Sequence, residues 1–358
     1  MRTDQISAGI VAAVVVALLI LGGCATGSSG GGVNNGGGTT TGQRVYVIQE
    51  PVTFSSGPAS ILEFSESFNG SVSPAATIVD TVNPSVFNDL SSDGSGNIYV
   101  AALYATPSAS DTFRAYVPGT TGVSASLRSV TAAAAAPSIG ATEAMVAGPT
   151  GEIYVAGQFG GVQVYSATAA GASTPTRTIY GYLMGGATLS TLLEPYALAA
   201  DAADNIYVLN RVGVSGGATV TSPIVVFGPT ANGNVTPTRL IGGPLTTLAS
   251  PGGITVDSAG NIWVTNNGTT GSSILEFAPG ASGNVAPILT IAGSLTTLGT
   301  LHGIKLDVSG SVLVVSGGYP TPSVIRFAAR ASGNVAPILT ITSPAWTHPD
   351  ASETLAVY

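Results

Sequence analysis

Apolar, often β-branched residues recur along this chain in short bursts, each closed by Gly, Asn, Asp or Pro. The clearest series is Pro251-Gly-Gly-Ile-Thr-Val-Asp-Ser-Ala-Gly-Asn-Ile-Trp-Val264, followed by Ile274-Leu-Glu-Phe277 and Pro287-Ile-Leu-Thr-Ile291. Bursts of this length and composition predict four short strands, with residues 257–261 as a tight hairpin turn. The series returns along the chain. Second strands are expected from Arg44, Asn97, Glu152, Asn205, Asn261 and Ser311, and third strands from Ile61, Phe113, Val162, Ile224, Ile274 and Val324. The last three of these start 50 residues apart, a period that belongs to propellers and solenoids. Pro74, Pro175, Pro237, Pro287 and Pro337 announce the fourth strand. Proline has no N–H to give a ladder, so that strand is expected at the outer edge of each unit.

First strands are found in chain order only five times, ending at Asp93, Ala147, Asp201, Asp257 and Asp307. The missing copy is supplied by Glu353-Thr-Leu-Ala-Val-Tyr358 at the far end of the chain. Its pairing with the unit that opens at Arg44 would close a ring and remove the exposed ring edge. An open stack would need distinct capping repeats at both ends. The expected fold is therefore all-β, a six-bladed β-propeller of four-stranded blades over residues 44–358, closed by pairing of N- and C-terminal strands.

Ahead of it, Arg2 and the apolar run from Ala8 to Leu21 suit a secretory signal better than a full membrane span. The run ends at Leu21-Gly-Gly-Cys24, which resembles the lipobox of bacterial lipoproteins. In that family the bond before the cysteine is cut and the thiol carries diacylglycerol. The resemblance implies a signal peptide over 1–23, lipidation at Cys24, export, and attachment to a membrane of the cell envelope. Residues 24–43, rich in Gly, Ser, Thr and Asn, read as a flexible linker.

Composition narrows the functions open to such a domain. Cys24 is the only cysteine, so no intrachain disulfide forms. Charged residues are 8% of the chain, the net charge is −8, and Lys305 is the sole lysine. With no basic cluster to neutralise phosphates, nucleic acid is not an expected partner. Two histidines, His302 and His348, exclude a His-rich transition-metal site. No phosphate-binding Gly loop followed by a helix is present, and Gly-x-Ser-x-Gly falls only in the small-residue runs 27–31 and 213–217, without the strand-to-helix turn that makes a nucleophile elbow. The Asp-x-x-Gly-Asn turns have one acid each where a calcium loop needs several oxygens, so they read as side-chain-capped hairpins. Tyr99, Tyr154, Tyr207 and Trp263 share one strand position and read as packing between blades.

One constellation remains. Five residues before the turn position, successive first strands carry Asn88, Glu143, Tyr196, Gly252 and His302, and a looser alignment adds Glu353. Around one mouth of a central channel these side chains would suit acid–base work or an oxygen-rich site for a divalent cation such as calcium. Against this stands the plainer expectation that polar channel mouths are only solvated.

With those residues in view, the phrase from Pro251 to Val264 resembles the NHL-type repeat, almost intact there and worn elsewhere. Six-bladed relatives of that kind include lactonases resembling gluconolactonase, lyases resembling streptogramin lyase, and pure binding modules. The fold does not choose among them. The low charge and small-residue loops favour a binding scaffold, taking a protein or a small-molecule or carbohydrate ligand on loops such as 101–112 and 209–222. The alternative is a channel-mouth enzyme of lactonase or lyase type.

Overall fold

The computed structural model describes residues 44–49, 58–65, 67–81, 85–104, 111–180, 192, 194–210, 213–215, 218–220, 224–317 and 322–345. Within these, six antiparallel sheets follow one another around a common centre. Blade 5 shows the pattern in full: Pro251–Val256, Ile262–Gly268, Gly271–Phe277 and Leu289–Ala292 pair in sequence order from the inside outwards. Blade 6 repeats it with Thr300–Leu306, Val312–Gly317, Ser323–Phe327 and Leu339–Thr342. Blades 2, 3 and 4 have inner strands Ser85–Ser92, Thr142–Ala147 and Pro195–Ala200. Blade 1 consists of Arg44–Gln49, Ser60–Ser65 and Ala76–Asp80. Its expected inner strand, 353–358, lies outside the described residues, as do Cys24 and His348. Among the described residues, no helix is long and apolar enough to cross a membrane.

Both faces of each blade are covered by its neighbours, which is why the middle strands are largely buried. Residues 153–157, 161–165 and 206–210 have no exposed position. Val45, Val47, Leu62 and Phe64 of blade 1 pack against Leu313, Val315, Val324 and Ile341 of blade 6, so the last blade meets the first. Val100 and Tyr116 of blade 2 join Tyr46, Ile61 and Ile78 on the other side of blade 1.

The outer strands are not the free edges that proline leads one to expect. Each takes a short parallel pairing from the loop of the next blade. Gly122 meets Ile78, Gly171 meets Val130, Gly233 meets Ile179, Gly283 meets Ile241, Gly333 meets Ile291, and Gly70 meets Ile341. All six glycines have φ between +61° and +83°, a region closed to most side chains. Next to four of them an asparagine completes the latch. Asn69, Asn232, Asn284 and Asn334 accept backbone N–H bonds from Thr340, Thr178, Leu245 and Leu295 of the preceding blade. The belt runs around the rim and includes the junction of blade 6 with blade 1.

Candidate functional site

The Asp turns at the lower face are closed on themselves. Asp257 accepts the backbone N–H groups of Ala259 and Asn261 at 2.9 and 2.8 Å and the Asn261 amide at 2.8 Å. Asp93 and Asp201 repeat these contacts, and Tyr99 and Tyr207 donate their hydroxyls to them at 2.8 and 3.0 Å. Burial followed by the neighbouring carboxylate pushes both phenols up, with Arg239 opposing the rise at Tyr207. Arg128 and Arg239 stand over these rings at 5.5 and 5.3 Å from the centroids, a cation–π geometry. They also reach backbone carbonyls at Ala169 and Ala281 in the following blade. The aromatic position is therefore buried packing with a polar handle, and its carboxylates are spent on the hairpins.

At the opposite face, where the inner strands begin, all five described copies carry a β-bulge at the ring position. The register slips between Phe87 and Asp89, Thr142 and Ala144, Pro195 and Ala197, Pro251 and Ile254, and Leu301 and Ile304. Asn88, Glu143, Tyr196, Gly252 and His302 sit within these slips. Bulges re-aim side chains, and Asn88 and Tyr196 are aimed sideways. The Asn88 amide donates to the Thr142 carbonyl at 2.7 Å, and the Tyr196 hydroxyl donates to the Pro251 carbonyl. Thr142 and Pro251 occupy equivalent places, so both side chains fasten one inner strand to the next.

Between blades 5 and 6 the fastening comes from the second strand instead. A Cβ on Gly252 would stand 2.4 Å from the Leu301 carbonyl, and one on Gly253 would stand 2.7 Å from that of His302. Glycine is required there because the two backbones nearly touch. Asn267 donates to the Leu301 carbonyl and accepts its N–H, both at 2.7 Å. Thr265, fully buried, accepts from Gly253 N–H at 2.7 Å and donates to the His302 carbonyl at 2.5 Å. Burial pulls His302 down to about 4, so its imidazole is neutral at neutral pH.

A small, solvent-open pocket lies further along the inner strands, lined by Asp89, Leu90, Met145, Ala197, Leu198, Gly253, Ile254, Gly303, Ile304 and Lys305. Its residues are one to three positions beyond the expected ring. Asp89, 3% exposed, accepts the backbone N–H groups of Leu90 and Met145 at 2.5 and 2.6 Å. Burial pushes the Lys305 amine below its ordinary value, and the Asp89 carboxylate pulls it back up. Neither residue was named as a candidate for the site, since each occupies an ordinary strand position. Glu353 lies outside the described residues, so its distance from Glu143 and His302 is not part of this geometry. Among the described residues, no three of His, Cys, Asp and Glu gather as a metal site.

Residues 238–276 match the family model described as Beta-propeller repeat. The segment runs from the outer strand of blade 4 into the third strand of blade 5 and contains the whole phrase 251–264. The chain is a six-bladed β-propeller. No curated protein matches it. Among solved structures, the WD40 domain of Toxoplasma gondii coronin is similar, with 11% identity and a TM-score of 0.49 over 82% of this chain and 67% of that one. An extracellular domain from B. thetaiotaomicron, described as part of a hybrid two-component system, has 11% identity and a TM-score of 0.48 over 81% of this chain. The chain spans about a third of that solved domain's length, 34%.

Proposed function

We propose that this propeller is an exported protein of NHL type, anchored to a membrane of the cell envelope through lipid on Cys24, and that it acts as a binding scaffold. Its ligand is a protein, or a small molecule or carbohydrate, held on the loops between second and third strands. One of these loops carries its own hairpin, Gly213–Ser215 with Ala218–Val220.

The observation that supports a scaffold over catalysis is the engagement of the mouth side chains. Asn88 and Tyr196 are committed to backbone carbonyls of the following blade. General acid–base work needs groups that reach a substrate proton and titrate near the working pH, and His302 is held near 4.

The competing reading is a lactonase- or lyase-like enzyme with a divalent ion between Glu143 and Glu353. Such an ion would raise stability by about 2.7 kcal/mol at a hundredfold excess over its dissociation constant. A thermal-shift series with calcium, magnesium, manganese and zinc, each with and without a lactone, separates the two. The scaffold reading expects no shift. A shift that Glu143→Gln abolishes would replace the scaffold with the enzyme.

A further inference from the structure

We infer that the lower face of the propeller, around the point where the chain enters blade 1, rests on the bilayer and dips aliphatic side chains into it. The inference builds on the reading of Cys24 as a lipid anchor. Arg44 begins the second strand of blade 1, opposite Ser65, and Val45 pairs with Phe64. In blade 6 the matching pair is Val312 with Phe327, so Arg44 stands where Ser311 closes the Asp307 turn. The chain therefore enters at the face of the Asp turns, opposite the bulged ring. Blades 6 and 2 pack on either side of that entry.

These two blades present bare aliphatic groups at the same face. Val308, in the turn itself, is 77% exposed, and Ile338 and Leu127 are 55% and 60% exposed. Equivalent backbone bonds place the last two at one level. Ile338 N–H donates to Arg326 at 2.9 Å and Leu127 N–H to Ala115 at 2.7 Å, as Ile288 N–H does to Glu276 in blade 5. Ile288 is 59% exposed and Val117, just past the third strand of blade 2, is 43% exposed. The nearby carboxylates do not oppose an apolar surface. Asp93 is engaged by its own hairpin, and Asp307 by its hairpin and by Arg326.

The length of chain ahead of Arg44 selects the occupant. Between Cys24 and Arg44 lie 19 residues, chiefly Gly, Ser, Thr and Asn. A Gly-rich coil of that length has a root-mean-square reach of about 24 Å. A strand of seven residues is itself about 23 Å long, so the face carrying Arg44 is the one the anchor holds near lipid. Single exposed aliphatic residues are ordinary on soluble proteins. A group of them flanking the tether entry suits insertion at the headgroup–acyl boundary, the depth at which apolar faces of surface-bound elements lie.

The test uses the full chain, held by its own anchor in vesicles of phosphatidylcholine with brominated acyl chains. Val308→Trp and, separately, Leu295→Trp add one indole to each face, with the parent chain as baseline for the native tryptophans. Leu295 is 57% exposed in the turn Ser294–Thr296 on the bulged-ring side. The indole at 308 is expected to lose at least about half of its emission to the bromolipid, unaffected by salt, and the one at 295 under about a tenth. Equal quenching at both positions, or none at 308, overturns the docking while leaving the anchor intact. A concentration-dependent blue shift at 308 that ignores bromolipid also overturns it, and assigns the face to a second copy of the chain. A chain that does not stay with the vesicles at all overturns the anchor, and the docking with it.

Discussion

Thr265→Val isolates the bond that ties three backbone segments together at the bulged ring. The side chain is fully buried, and its hydroxyl joins Gly253 N–H to the His302 carbonyl across blades 5 and 6. Valine has nearly the same shape and is more apolar, so burial alone would favour the variant. The loss comes from two backbone groups deprived of that partner in a crowded site, each costing about 1–2 kcal/mol, or about 2–4 kcal/mol together. Unfolding entropy of about 2.1 cal/mol/K per residue gives roughly 0.6 kcal/mol/K for a domain of roughly 300 residues. The melting temperature should therefore fall by about 3–6 °C. Calorimetry or far-UV circular dichroism reads this directly, with Thr265→Ser as the control that keeps the hydroxyl and should lose less. A Thr265→Val chain as stable as the parent would refute the claim that this hydroxyl bridge fastens the inner strands of blades 5 and 6.

Other perturbations probe other links of the ring. Arg114 and Asp80 form a pair between blades 2 and 1 whose side chains are 2% and 1% exposed. Arg114→Met leaves the carboxylate buried without its cation and should cost about 3–5 kcal/mol in chemical denaturation, with Asp80→Leu on top recovering most of it. His302 titrates near 4 when folded and at 6.5 when unfolded. The unfolded chain thus takes up a proton that the folded chain refuses. Stability complete above pH 6.5 is lost as pH falls towards 4, by up to about 1.4 kcal/mol per unit. His302→Gln should flatten that segment of the stability–pH curve, and an unchanged slope would assign it to other groups. If residues 353–358 supply the inner strand of blade 1, their removal should leave the rim belt in place yet lower and broaden the melting transition; an unaltered transition counts against closure by that segment.

Much of the architecture was legible because its signals are local. The alternation in Ile262-Trp-Val264 and Ile274-Leu-Glu-Phe277, and the Asp257 to Asn261 turn, each specify a strand or hairpin within a few residues. Blade 4 shows that the turn tolerates variation, with Asp204 taking the positive φ that glycine takes at 96, 151, 260 and 310. The ring position was also visible as a column, and it falls on a bulge in every described inner strand. The direction of its side chains was not visible. Asn88 bonds across 54 residues and Tyr196 across 55, roughly one repeat away, where strand periodicity has nothing to say. The rim belt left a trace in the sequence, a glycine four residues before each fourth-strand proline, but it reads as ordinary turn chemistry until the neighbouring blade is in place. Asp89 and Lys305 were hidden by the same rule: their polarity matters only because inner strands converge. Thr247 and Thr297, at φ +57° and +54°, defeat propensity outright, since a β-branched residue is poorly suited to that conformation.

The anchored-scaffold account is tested most directly by the intact mass of the mature chain extracted from membranes of cells that express the whole sequence. The account predicts a polypeptide that begins at Cys24 and carries the added mass of diacylglycerol on that residue. A chain that retains Met1, or one cut elsewhere with an unmodified Cys24, would contradict it.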